Sequence, residues 1–175
     1  MNKNSVEYSI SNVDIQKYLG NGHIQKYADL LNFNNIDDVF GDYNFVIILI
    51  ESKLNSGHWT CMLRYDNTIE IFDSYGGSID NELKYISKNM KNMLGEKENV
   101  LTDLLKKSGY KVVINKYKFQ KEDNSIDSCG KWCLLRILMF MCANMQLKEF
   151  TSFVKNNAKK LNLSNDEFVC KCITF

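Results

Sequence analysis

Proline is absent from this chain of 175 residues, and histidine occurs only twice, at His23 and His58. Arginine stands only at Arg64 and Arg136, against many lysines. With abundant Asn and Ile, this usage suggests an AT-rich genome and carries no chemistry. An apolar signal core is missing, because Met1-Asn2-Lys3-Asn4-Ser5 is polar. Runs long enough to span a bilayer are missing too. Phe45 to Ile50 is too short, and the run from Trp132 to Met145 is broken by Arg136 and reads as a buried helix. A soluble protein of a reducing compartment is expected. Its six cysteines, Cys61, Cys129, Cys133, Cys142, Cys170 and Cys172, are then mostly free thiols. Cys142, inside an apolar helical run, is expected to serve packing. Charge of one sign is not in excess: the formal net charge is +1, which gives no electrostatic case for nucleic acid or membrane. No linker, repeat or low-complexity tract divides the chain, so a single domain over residues 1–175 is expected.

What is present is globular: 45% hydrophobic and 25% charged residues, ample for a core. Val13, Ile15, Tyr18 and Leu19, then Ile24, Tyr27, Leu30 and Leu31, fit two short amphipathic helices split at Gly20-Asn21-Gly22. Phe45 to Ile50 is a β-branched run of strand length, buried on both faces. After a turn at Lys53 to Gly57, His58 to Tyr65 and Thr68 to Phe72 form a hairpin around Asp66-Asn67. Ser78 to Leu94 carries Ile79, Leu83, Ile86, Met90 and Leu94 at helical spacing. A second helix spans Asn99 to Lys107 and ends at Gly109. Tyr110 to Phe119 has strand character, and Gln120 to Ser128 is a polar loop. Cys129 to Met145 is apolar nearly all round, as a central buried helix would be. Leu147 to Leu161 and Asn165 to Cys172 read as helices. The sum is an α+β fold.

Three short strings carry the chemistry, in this order: Gly57-His58-Trp59, Phe72-Asp73-Ser74-Tyr75-Gly76 and Asp127-Ser128-Cys129-Gly130. They supply an imidazole base, a carboxylate to orient it and a thiol nucleophile, the set needed for covalent acyl transfer. Cys129 falls where a polar loop meets a helix start. There, unpaired N–H groups and the positive dipole end favour thiolate and can hold an oxyanion. Gly130 beside it admits a substrate backbone. Taken alone, Cys129 is as well read as a packing cysteine, His58 as a surface residue and Asp73 as a turn or capping aspartate. In a hairpin, however, the start of one strand lies beside the end of its partner. His58 and Asp73 are therefore expected within hydrogen-bonding reach, with Glu70 a second choice because it lies on the other face of the strand. Trp59 is either core or the wall of a substrate cleft. Gln120 is either a solvated loop residue or an oxyanion donor. His58, Cys61, Cys129 and Cys133 are ligand types suited to zinc, but their spacings are not those of paired knuckles, so no metal is expected.

In their order and wording these strings resemble the adenain and SUMO-protease superfamily of cysteine peptidases, and most of all the maturation proteases of large DNA viruses and virophages. The residues that carry the likeness are Gly57-His58-Trp59, Glu70-Ile71-Phe72-Asp73-Ser74-Tyr75-Gly76 and Cys129-Gly130-Lys131-Trp132-Cys133-Leu134-Leu135-Arg136. The likeness is dense from about Phe45 to Arg136 and fades after Met145. It implies a mixed sheet packed on a buried helix that carries the nucleophile, with flanking helices. It further implies a helical N-terminal segment over residues 1–40, a catalytic core over 41–146 and C-terminal helices over 147–175. His58 is then the general base, Asp73 its orienting acid and Cys129 the nucleophile. Gln120 and the Cys129 N–H form the oxyanion hole, and Trp59 and Gly130 border the substrate channel. The implied substrates are capsid or core precursor proteins, cut after small residues such as Gly, in the host cytoplasm or viral factory and with packaging in the virion. A peptidase acting on ubiquitin-like conjugates, or an inactive binding module, would share the same framework. The sequence departs from the pattern in places. Gln120 stands nine residues before Cys129, farther than is common in that superfamily, and Ser128 replaces a common Asp. No cysteine lies between Cys61 and Cys129, so the disulfide-linked peptide cofactor of adenain is not carried over. Nor is DNA, given the net charge of +1. No cofactor is expected.

Overall fold

The computed structural model describes residues 4–20, 23–78 and 80–175. Its elements, in chain order, are α1 (Asn12–Leu19), β1 (Ile24–Lys26), α2 (Ile36–Phe40), β2 (Phe45–Lys53), β3 (Ser56–Tyr65), β4 (Thr68–Asp73), α3 (Lys88–Leu94), α4 (Val100–Lys107), β5 (Lys111–Ile114), α5 (Cys129–Ala143), α6 (Leu147–Leu161) and α7 (Asn165–Cys172). Two 3-10 turns cover Tyr27–Asn32 and Asn81–Tyr85. The fold is α+β with a mixed five-stranded sheet. Among the described residues, no helix is long and apolar enough to cross a membrane. The chain forms two compact units. A sheet unit comprises His23–Asp73 and Gly77–Ile114, and a helical unit comprises Met1–Gly22, Ser74–Gly76 and Asn115–Phe175.

In the sheet unit the strand order is β1-β2-β3-β4-β5. The outer pairs β1–β2 and β4–β5 are parallel, and the inner pairs β2–β3 and β3–β4 are antiparallel. β2 is the apolar β-branched run anticipated above, and it is buried from Phe45 to Glu51. The β3–β4 hairpin turns at Asp66-Asn67, with Asp66 in the left-handed region at φ +49°, a conformation that aspartate tolerates better than most residues. One sheet face carries Val46, Ile48, Ile50, Met62, Ile69 and Ile71, which join a core with Tyr27, Leu30 and the apolar faces of α2 and α4. In α4, Leu101, Leu104 and Leu105 are the buried positions, at helical spacing. Asp80 ties this core to the α4 N-terminus. Its carboxylate accepts from the Tyr27 hydroxyl at 2.8 Å and from Thr102 Oγ1 at 2.6 Å and N at 3.2 Å.

Four expectations are corrected here. Ile24 to Leu31 is not a helix but the strand β1 followed by a 3-10 turn, because Ile24–Lys26 finds an open parallel partner in Ile47–Leu49. Ser78 to Leu94 is not one helix. Ser87 accepts from the Met90 N–H and starts α3 afresh, leaving Asn81–Tyr85 as a separate 3-10 turn. Of that stripe, Ile79 lies outside the described residues, as do Asn21 and Gly22 of the first turn and Met1 to Lys3 of the polar start. Strand pairing after Tyr110 stops at Ile114, opposite Ile71, although β4 runs on to Asp73. Cys142 does not pack, since the last turn of α5 is exposed.

The helical unit is built on α5, which is buried from Cys129 through Ile137. Phe119 lies 5.2 Å from the Trp132 ring and 5.3 Å from Phe150 of α6, measured between ring centroids. Arg136, fully buried, donates to the Met145 carbonyl at 2.9 Å and sits over the Phe150 ring. α7 begins with a Ser164–Glu167 capping box and brings the buried Asp166 against α5. That carboxylate accepts from Ser128 Oγ at 2.5 Å, Trp132 Nε1 at 3.3 Å and the Lys121 N–H at 3.0 Å.

Asp166→Ala would strand three donors at once, each costing about 1–3 kcal/mol when buried. Urea unfolding of this variant is expected to show a loss of about 3 kcal/mol or more, with Asp166→Asn, which retains one acceptor, losing less. An unchanged midpoint would mean that Asp166 does not hold this unit together.

Candidate active site

His58 is the third residue of β3, opposite Ile50 of β2. Asp73 ends β4, opposite Thr60. The two residues are diagonal neighbours on one face, because His58 and Thr60 are two apart along a strand. His58 Nε2 lies 3.0 Å from Asp73 Oδ1, with the side chains 11% and 5% exposed. A carboxylate only accepts, so it fixes the proton on Nε2 and leaves Nδ1 with the basic lone pair. That is the tautomer a general base needs. His23, the other histidine, has Nε2 on the Val39 carbonyl and its ring stacked on Tyr43. It is fastened as a structural residue. Glu70 faces away from Asp73 and takes the Tyr65 hydroxyl at 3.1 Å, so of the two acids Asp73 is the one paired with His58.

Gly57 explains the first residue of its string. A Cβ built there would lie 1.9 Å from the Ile50 carbonyl oxygen and 2.8 Å from Glu51 Cα. Here the β2–β3 register shifts between Glu51 and Lys53, and only a residue without a side chain lets the backbones approach so closely. The approach sets the backbone immediately before His58. Trp59 is buried and, as the next residue along β3, faces the opposite side of the sheet from His58. His58 and Cys61, three apart, also face opposite sides, so they do not converge on one ion.

In the helical unit, Cys129 is the first residue of α5 and is buried. Its N-cap, Ser128, makes no capping hydrogen bond, because its hydroxyl is directed to Asp166. The side chain that ordinarily covers first-turn N–H groups is thus turned away from them. Gly130 follows as the second helical residue, also buried. Burial pushes the Asp127 carboxyl up from its ordinary value, against the pull of Lys131.

Gln120 is not a solvated loop residue; it is 2% exposed. Its Oε1 accepts from Ser74 Oγ at 2.8 Å, and its Nε2 donates to the Ile126 carbonyl at 2.9 Å and to Tyr75 Oη at 3.2 Å. Both amide N–H groups are therefore engaged, so donating to an oxyanion would require one of them to be released. Sequence reasoning gave Ser74 and Tyr75 no role beyond their string, yet they hold this loop. It also missed Glu82, half-buried in the 3-10 turn Asn81–Tyr85. One carboxylate oxygen of Glu82, one of Asp73 and one ring nitrogen of His58 all lie within 4.8 Å of one another. The helical periodicity assigned to residues 78–94 concealed it, and no spacing rule points to it.

No protein-family model matches the chain. Over 163 residues it is 39% identical to "Uncharacterized protein V9" of Sputnik virophage, a match that takes in 92% of this chain and 91% of that protein.

Gly57→Ala is expected to displace the backbone under His58 and to lower stability by about 1–3 kcal/mol or more, the range for forced overpacking. Chemical denaturation measures this, and a variant as stable as the wild type would show that the close approach at Ile50 is not required.

Proposed function

The chain belongs to the same family as protein V9 of Sputnik virophage, and we propose that it is a cysteine endopeptidase with Cys129 as nucleophile, His58 as base and Asp73 as orienting acid. The observation that carries this reading is the part-buried His58–Asp73 pair at 3.0 Å, formed on one sheet face by residues 15 apart in sequence. The placement of Cys129 at the uncapped start of a 15-residue helix supports it.

The chemistry runs in two halves. The Cys129 thiol gives its proton to His58 Nδ1, and the sulfur forms a bond to the scissile carbonyl carbon. The carbonyl oxygen gains the negative charge, which first-turn N–H groups of α5 are suited to hold. His58 then returns the proton to the leaving amine, and the C–N bond breaks. Water, deprotonated by His58, attacks the thioester, and the sulfur leaves and recovers its proton. Asp73 stabilises the imidazolium that forms in each half without itself taking the proton. The scheme requires the thiol of the helical unit to meet the imidazole of the sheet unit.

The substrate in this reading is a protein. The virophage source of the relative agrees with viral capsid or core precursors, cut after small residues such as Gly, where virions assemble. Incubating the full chain with the structural precursor proteins of its virus, followed by mapping of new N-termini, tests the proposal. Wild type is expected to generate them. Cys129→Ala, folded by circular dichroism, is expected to lower the rate by about four orders of magnitude or more. Cleavage that persists in Cys129→Ala would overturn the assignment, and cleavage confined to ubiquitin-like probes would redirect it to deconjugation.

A further inference from the structure

The parallel pairing of β1 with β2 ends at Lys26, opposite Leu49. On that edge the Ile47 N–H donates to the His23 carbonyl at 2.9 Å. Period two puts the Glu51 N–H on the same edge, past the end of β1. Glu51 is 3% exposed, and a buried N–H needs a partner. It meets the side chain of Glu96, whose Oε1 accepts it at 2.6 Å. Glu96 follows Gly95, the residue that ends α3, and its own N–H is held by the Lys91 carbonyl at 2.9 Å. A carboxyl thus stands in for the carbonyl that a longer β1 would supply.

We propose that Glu96 is a positioning residue for His58, and that its hold on the backbone depends on whether it carries a proton. The route to His58 is short. Glu51 faces Gly57 across the β2–β3 ladder, and Ile50 faces His58. Gly57 lies so close to Ile50 and Glu51 that a Cβ would not fit, so a shift of the Glu51 backbone is passed to Gly57 and to the imidazole after it. The Glu51 side chain also accepts the Asn55 N–H at 2.6 Å and fastens the turn that enters β3.

The dependence on a proton comes from the other oxygen. Glu96 is 4% exposed, and its Oε2 has no hydrogen-bond partner among the described residues. A neutral carboxyl tolerates this far better than a buried carboxylate with one oxygen unpaired. Burial pushes the Glu96 carboxyl up from its ordinary value. The Glu51 N–H pulls it down, the Glu51 charge pushes it up and Lys91 of α3 pulls it down, with a net rise. The cations nearby have acids of their own: Lys91 pairs with Glu98, and Lys26 of β1 with Glu51. A carboxyl raised in the folded chain binds its proton more tightly there than in the unfolded chain. Its stabilising effect is full below the ordinary carboxyl range and is lost as pH rises through the raised value. Rising pH therefore loosens the seat of Glu96 and the backbone that leads into His58. The consequence for catalysis rests on the peptidase reading, whereas the placement of His58 does not.

NMR of the full chain reads that placement without an activity assay, since there are two imidazoles to distinguish. In wild type the His58 ring signals are expected to shift with the Glu96 titration in addition to their own. In Glu96→Gln, whose amide accepts the Glu51 N–H at every pH, that extra shift disappears. Hydrogen exchange at the Glu51 amide is expected to be about tenfold faster in Glu96→Ala, the effect of stranding one buried donor, and to be restored by Gln. In urea, the stability of Glu96→Gln relative to wild type is expected to grow between about pH 4 and 8. A relative stability that is flat or shrinks with pH, or His58 signals and Glu51 exchange indifferent to the substitutions, would overturn the proposal. Should Glu96→Ala not fold, the comparison of Glu96→Gln with wild type decides alone. Coupling of His58 to Glu96 without cleavage of any precursor would count against the enzymatic reading only, and cleavage without that coupling against the positioning role only.

Discussion

The register of the β3–β4 hairpin is the constraint on which the rest of the site depends. Thr60 pairs with Asp73 and Tyr65 with Thr68, so the Asp66-Asn67 turn fixes every contact along the two strands. A slip of one residue would turn Asp73 to the opposite face and bring Phe72 or Ser74 to its place. Ile69 and Ile71 belong to the same face and to the buried core, so a slip would also expose them. The apolar packing that stabilises the sheet therefore also holds the carboxylate beside the imidazole. Gly57 adds a second restraint from the β2 side, through its close approach to Ile50.

This dependence explains which parts of the molecule could be read from the sequence. A β-branched run, a two-residue turn and period-two alternation determine β2, β3 and β4 locally, and the His58–Asp73 contact follows from strand geometry alone. Helices α4, α6 and α7 follow from apolar spacing and end signals. Where tertiary pairing overrides local pattern, the sequence misleads. Ile24–Lys26 has helical spacing but extends because β2 offers it an edge. The stripe from Leu83 to Leu94 is helical in period but is cut at Ser87, whose hydroxyl prefers to cap. Cys142 lies in an apolar run whose last turn is nonetheless exposed. The two units are also hidden, since each draws on separated stretches of chain and no linker composition marks their limits.

The side chains around His58, Asp73 and Cys129 divide in the same way. His58 and Asp73 could be identified because a regular hairpin connects them. Gln120, Asp166 and Glu82 could not be interpreted, because their partners are reached through loops and turns. Gln120 ties the loop before α5 to Ser74 and Tyr75, and Asp166 fastens Ser128, Trp132 and Lys121. These buried polar hubs tie the segment that precedes Cys129 to Ser74, Tyr75 and α7.

The central claim is that Cys129 is an activated nucleophile whose partner is His58. The most direct measurement is the rate of Cys129 alkylation by iodoacetamide across pH, read by peptide mass, in wild type and in His58→Ala. The exposed Cys142 serves as the reference thiol within the same molecule. The account predicts that Cys129 is alkylated much faster than Cys142 at neutral pH and that His58→Ala abolishes this excess reactivity. Alkylation of Cys129 no faster than that of Cys142, and indifferent to His58, would contradict it.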